Sequence, residues 1–246
     1  MILTGKAALL TGGRRIGAVV ARALAARGMD IAVSYHRSRL DAEQVVAQLV
    51  AAGRRAVAIS ADLSNPGAAA ALVDGAAAYL GRLDALIHLA SVYVRRPLAE
   101  TDAAAWAAVM DVDLRAAFLC AQAAIPHLRA AGGGRIVNVS DWVAASGRPR
   151  YQGYLPYYVA KRAMIGLSEA LALELAADGI LVNTVAPGPI IPPDGSTPAH
   201  VTSVEAATPV GRWGGEAEIA KAVLFCLDSD FMTGETIRVD GGRHVR

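Results

Sequence analysis

The sequence predicts a doubly wound α/β fold, a parallel sheet of about seven strands with helices on both faces. Three observations carry this. Short apolar segments of strand length alternate with longer segments of helical periodicity along the whole chain. The strand segments are continuous runs of Val, Ile, Leu and Ala without polar alternation, as strands buried on both faces require. A glycine-rich turn with Gly12, Gly13 and Gly17 joins the first strand segment to the first helical one. At 246 residues, 54% hydrophobic and 19% charged, the chain can bury one sizeable core, so 1–246 is read as a single domain.

The elements follow in order. KAALLT (6–11) is the first strand, with a helix over 16–28 after it; DIAVSY (30–35) precedes a helix over 41–53. AVAIS (56–60) is followed by a helix over 66–81, and LDALIHLA (83–90) by one long helix over 102–131. Thr101-Asp102 is the start signal of that long helix and the glycines at 132–134 are its stop. RIVNVS (135–140), a helix over 156–178, ILVNTVAP (180–187), a helix over 215–228 and TIRVD (236–240) complete the series. The segment 189–214 breaks the rhythm, because it is too long and too rich in Pro, Gly and Thr for an ordinary strand-to-helix loop. It is expected to be a lid or binding loop, the alternative being a disordered segment.

Charge and composition exclude several classes. A net charge of +2, without runs of basic residues interleaved with aromatics, gives no field for nucleic acid. The apolar opening MILTGKAALLTGG is interrupted by Lys6 and ends in glycines too early for a signal-peptide core or a membrane span. Cys120 and Cys226 lie far apart in apolar helical surroundings, without metal-ligand spacing, and are read as buried free thiols. A cytoplasmic protein without metal or membrane partner is expected.

The glycine turn lies where a Rossmann-type sheet binds a dinucleotide. Glycine has no Cβ to hold the phosphates away, so backbone N–H groups and a helix N-terminus can reach a pyrophosphate. An acidic residue at the end of the second strand would grip a free ribose 2′-OH, but His36, Arg37 and Ser38 stand there. Cationic and hydroxyl donors suit a 2′-phosphate, which points to NADP(H). Arg14 and Arg15 either close over the same phosphate or are solvated surface charge.

Tyr157 and Lys161 are spaced i, i+4 on a helix and share one face. A lysine ammonium near a phenol favours the phenolate and is expected to lower the tyrosine pKa toward neutrality, suiting proton transfer beside hydride transfer. Tyr158, Tyr151 and Tyr154 illustrate tyrosines that simply pack at a surface. Asp141 either caps the end of its strand or takes part in the chemistry.

Together these stretches resemble the short-chain dehydrogenase/reductase family over nearly the whole chain. The matching pieces are TGGRRIG, ADL (61–63), LASVY (89–93), IVNVSDW, YYVAK, VNTVAPGPI and TGETIRVDGG. Within the family the sequence is most similar to the pteridine reductases, through Arg15 at the middle glycine position, His36-Arg37-Ser38 after the second strand, and Asp141 in place of the catalytic serine. The resemblance implies that Gly12, Ile16, Gly17, Ala90, Ser91 and Lys161 line the cofactor. It also implies that Asp62 and Leu63 border the adenine and that Pro187 and Gly188 border the nicotinamide. Tyr93 falls where an aromatic ring sandwiches the pterin, or else only packs. A homotetramer built through the two long helices and the C-terminal strand region is implied as well.

Four positions depart from the family pattern. The glycine turn is one residue short, which leaves open whether Arg14 or Arg15 meets the phosphate. His88 replaces an asparagine and is read as a satisfied core histidine. Asp113 stands where an asparagine usually kinks the long helix and holds a relay water; it faces either the site or the helix surface. Asp141 and Tyr157 are 16 residues apart, about three more than the family spacing, and the surplus falls in SGRPRYQGYLP, a Gly- and Pro-containing loop.

The leading expectation is an NADPH-dependent reductase of pteridine-like C=N substrates, in which Tyr157 supplies a proton, Lys161 tunes it and Asp141 orients the substrate. A carbonyl reductase of 3-oxoacyl thioesters or small ketones is the alternative enzyme. A non-catalytic NADP(H)-binding module is the alternative of a different class.

Overall fold

In the computed structural model, which describes residues 1–246, Ala7 and Leu9 of β1 (Ala7–Thr11) turn to one face of a central sheet. Ala8 and Leu10 turn to the other, and all four are buried. Six further strands complete the sheet: β2 (Asp30–Tyr35), β3 (Ala56–Ser60), β4 (Ala85–His88), β5 (Gly134–Val139), β6 (Ile180–Pro187) and β7 (Thr236–Val239); the double burial is repeated in β2, β4, β5 and β6, while the edge strands β3 and β7 are only partly covered. They are parallel throughout, in the order β3-β2-β1-β4-β5-β6-β7.

Helices α1 (Ile16–Ala26), α2 (Arg39–Ala51) and α9 (Glu216–Asp228) cover one face; α3 (Pro66–Leu80), α5 (Ala116–Ala130) and α7 (Leu155–Leu175) cover the other. The alanine bias has a packing consequence, since α3 and α5 meet through Ala69, Ala76, Ala121 and Ala124, all buried. Small side chains let the two backbones approach. The strand order reverses between β1 and β4, and a crevice opens there beyond the carboxyl ends of the strands.

Two elements differ from the sequence expectation. The long helix over 102–131 begins as expected, with the Asp102 carboxylate accepting from the Ala105 N–H at 2.8 Å, but it is not uniform. A π-helical turn, Asp111–Arg115, separates α4 (Ala103–Met110) from α5. The segment 189–214 is not irregular throughout, because it contains α8 (Pro198–Ala206), capped by Thr197, whose hydroxyl accepts from the His200 N–H. Thr197 followed by Pro198 is a helix start that the abundance of Pro and Gly around it concealed. No helix is long and apolar enough to cross a membrane.

Candidate active site

A cavity of about 1060 Å³ occupies the crevice, and all the candidate cofactor, substrate and catalytic residues line it except Arg37 and Asp113. Arg37 is exposed, beyond the rim. Asp113 lies beneath the floor.

At one end the glycine turn is pulled tight. A Cβ on Gly17 would stand 1.9 Å from the Gly12 carbonyl oxygen, and Gly12 itself has φ +85°. The end of β2 secures the turn, with the Ser34 Oγ accepting from the Gly12 N–H and the Ser34 carbonyl from the Gly13 N–H. Arg15 adopts φ 51°, ψ −110°, a conformation that costs a non-glycine residue about 1–3 kcal/mol. The two arginines diverge. Arg14 pairs with Asp41 of α2 at 3.3 Å, whereas Arg15 donates to the Pro192 carbonyl at 3.2 Å, tying the 189–214 segment to the turn. His36 lies 3.7 Å from Asp62, whose carboxyl is held below its ordinary range chiefly by hydrogen bonds from Ser64.

At the other end Asp141 and Tyr157 meet despite the longer loop between them. Tyr157 donates its phenolic hydrogen to Asp141 Oδ2 at 3.0 Å, and Asp141 Oδ1 accepts from the Val143 N–H at 2.7 Å. One carboxylate therefore both caps α6 (Trp142–Ala145) and touches the phenol. Burial raises the Asp141 pKa above that of an ordinary carboxyl, against the opposing pull of the Val143 and Tyr157 hydrogen bonds and of Lys161.

The expected lowering of the Tyr157 pKa is overturned. Its phenol is pushed well above its ordinary value, first by burial and then by the negative charges of Asp141 and Asp113. Lys161 does not counter this, because its ammonium is engaged with Asp113 Oδ1 at 3.1 Å and the Val139 carbonyl at 2.9 Å, and stands 5.7 Å from the centre of the Tyr157 ring. The phenol is a held proton at neutral pH.

Asp113 faces inward from the π-helical turn and is wholly buried. Its carboxylate accepts from the Ser91 hydroxyl and, at 2.7 Å, from the Val92 N–H, so it fixes the chain leading to Tyr93 while pairing with Lys161. Ser91 is thus turned toward Asp113. His88 is only half satisfied. Nδ1 bonds with the Thr11 hydroxyl at 3.1 Å, but buried Nε2 has no partner, the Val112 backbone approaching without completing a hydrogen bond.

Several lining residues were not legible as functional. Tyr93 stacks on Tyr154, with ring centres 4.6 Å apart, and meets Tyr157 edge-on at 4.8 Å. Tyr154 meets Tyr151, and Tyr151 meets Trp142, each edge-on at 6.4 Å. Tyr151 and Tyr154 therefore form a wall of the cavity, correcting their reading as surface packing. Both tyrosines belong to the loop between Asp141 and Tyr157. Arg243, after β7, completes it from the C-terminal turn, together with Trp213 and His200 from the 189–214 segment. Aromatic spacing within the loop was the available signal for the tyrosines; nothing local marked Arg243.

Residues 12–244 match the family described as enoyl-(acyl carrier protein) reductase. Over 244 residues the chain is 34% identical to a 3-oxoacyl-[acyl-carrier-protein] reductase of Synechocystis sp., covering 98% of this chain and 97% of that protein. Among solved structures, a short-chain dehydrogenase/reductase from Serratia marcescens is similar with a TM-score of 0.91 at 30% identity, covering 99% of this chain and 100% of that one. A blue fluorescent protein from a metagenomic library, solved in complex with NADPH, has a TM-score of 0.90 at 35% identity, covering 99% of both chains.

Proposed function

The chain belongs to the short-chain dehydrogenase/reductase family, and from that membership we propose that it is an NADPH-dependent reductase of pteridine-like, conjugated C=N substrates. That it is an oxidoreductase follows from the family itself. The substrate reading rests on one observation, the contact at 3.0 Å between the Asp141 carboxylate and the Tyr157 hydroxyl.

The glycine turn fits a dinucleotide, since a side chain at Gly17 would fill the space that the turn needs. Gly12, Ile16 and Gly17 would border its phosphates, and Ala90 and Ser91 the opposite wall. His36 after β2, Ser38 before α2 and Arg14 of the glycine turn, paired with Asp41 of α2, favour the phosphorylated form; Arg15, engaged with Pro192, would hold the 189–214 segment closed. Asp62 and Leu63 would border the adenine, and Pro187 and Gly188 the nicotinamide. When bound, the dinucleotide supplies the hydride.

The remaining chemistry belongs to the chain. Hydride addition to the carbon of a C=N bond leaves electron density on nitrogen, which must take a proton. Tyr157 holds that proton, its phenol kept neutral by burial and two carboxylates. Asp141 can donate to or accept from the ring and return a proton to Tyr157, because burial makes its carboxyl easier to protonate. Lys161, with two partners inside the chain, keeps a further N–H for the ribose. The Tyr93–Tyr154 pair offers a flat wall to a flat ring.

Mixing the full chain with NADPH and 7,8-dihydropteridines should give loss of NADPH absorbance, and Tyr157→Phe should slow it by about 10²–10⁴-fold. Turnover no faster than that variant's removes the substrate reading, and tight NADPH binding without any turnover would mark a non-catalytic binding module. Ketone reduction is the second reading, supported by the names of the relatives. It expects turnover of acetoacetyl thioesters and an Asp141→Ser variant that works as well or better. The chain is further proposed to assemble as a homotetramer, a reading supported by exposed Phe118 on α5 and Leu173 on α7.

A further inference from the structure

The C-terminal turn carries a cation into the substrate end of the cavity. Asp240 organises this turn, its carboxylate accepting from the Gly242 N–H, the His244 N–H and His244 Nδ1. Gly241 and Gly242 bring the turn against the end of the lid segment, where a Cβ on Gly241 would stand 2.7 Å from Thr208. Arg243, the next residue, lines the cavity with Trp142, Tyr151 and Val204. In the sheet it follows β7, two strand spacings, on the order of 10 Å, beyond the β5 end that carries Asp141.

The guanidinium is used on one side only. Nη1 donates to the Val204 carbonyl at 2.9 Å and to the Thr208 hydroxyl at 3.2 Å, which ties it to the C-terminal end of α8. Nε is enclosed, the Tyr151 hydroxyl lies within hydrogen-bonding reach of the guanidinium, and no carboxylate of the chain pairs with Arg243, which leaves Nη2 as its free end. The group lies over the Trp142 ring, 5.5 Å from its centre, so its position is constrained. The other cations of the cavity are committed: Arg14 to Asp41, Arg15 to Pro192 and Lys161 to Asp113.

We propose that the Nη2 end of the Arg243 guanidinium recognises a carboxylate on the substrate, so that the enzyme selects flat heterocycles bearing an acidic side chain. This rests on the reductase reading of the same cavity. A carboxylate oxygen can accept a charge-assisted hydrogen bond from Nη2, and the Tyr151 hydroxyl, whose ring lies along the same wall within reach of the guanidinium, adds a second donor. The wall from Tyr93 through Tyr154 and Tyr151 to Trp142 then holds the connecting part of the substrate.

The test is equilibrium binding to the full chain saturated with NADP⁺, comparing pteroate with its carboxamide, which differ only in the acid. Wild type should bind pteroate at least about tenfold more tightly; Arg243→Gln should bring the ratio to about one, and Arg243→Lys should keep part of it. Thr208→Ala loosens the tie to α8 but spares the charge, so it should keep the ratio, whereas a purely structural Arg243 would make the two variants alike. A ratio near one in wild type, or one that survives Arg243→Gln, overturns the assignment and leaves the pteridine reading intact. If neither pterin binds, the pteridine reading falls, and Arg243 is judged on the same ratio for an aryl-substituted 3-oxo acid and its amide; a ratio near one there overturns it too.

Discussion

Asp113 does with a carboxylate what an asparagine could not. It accepts three hydrogens at once, from Ser91, Val92 and Lys161, while an amide has one oxygen and would turn donors toward donors. Its charge also reaches Tyr157, where it adds to burial and to Asp141 in holding the phenol protonated. Reduction needs that protonated form, so activity should persist to high pH and fall only as the phenol finally ionises. Asp113→Asn removes one of the negative charges that raise the phenol, and the basic limb of kcat/KM against pH should move to lower pH, with a lower plateau from the loosened Ser91–Tyr93 segment. A basic limb that stays in place would show that Tyr157 does not sense Asp113. The pairing could not be read from residue spacing, because a helix of uniform α pitch leaves position 113 free to face either way.

The π-helical turn decides that orientation, and it lies against His88 at the end of β4. The imidazole is driven down from 6.5 to about 3, first by burial and then by the Lys161 charge, so it is neutral in the folded protein at pH 7. Between about pH 6.5 and about 3 the unfolded chain binds a proton that the folded one refuses. Stability should therefore be full above 6.5 and fall as pH drops through this window, by up to about 1.4 kcal/mol per pH unit. Denaturant unfolding of His88→Asn across the window should show a shallower slope than wild type; equal slopes would remove His88 as the cause. The loop between Asp141 and Tyr157 shows a second effect at this scale. Its extra length leaves the pair in contact and is taken up in a wall, with Arg150 over Trp142 at 5.1 Å and the tyrosines in edge-on contact.

At the scale of the whole molecule, two clusters of 24 and 23 buried residues lie on opposite faces of one sheet. Phe118 and Leu173 point away from both clusters, at 41% and 84% exposure. Sedimentation velocity at micromolar concentration should give a species of four chains, reduced in size by Phe118→Asp with unchanged far-UV circular dichroism; a wild-type monomer would defeat the tetramer. The sequence by itself determined the order and type of the strands and main helices, the glycine turn and the Tyr157–Lys161 face, because each depends on a local period or on backbone needs that neighbours in the chain declare. Only the tertiary structure decided that Lys161 belongs to Asp113, that the Tyr157 phenol is raised, that Arg14 and Arg15 part ways, and that Arg243 joins the cavity. These depend on burial and on charges brought together across 16 to 177 residues of chain, and neither desolvation nor such proximity is written in any short stretch of residues.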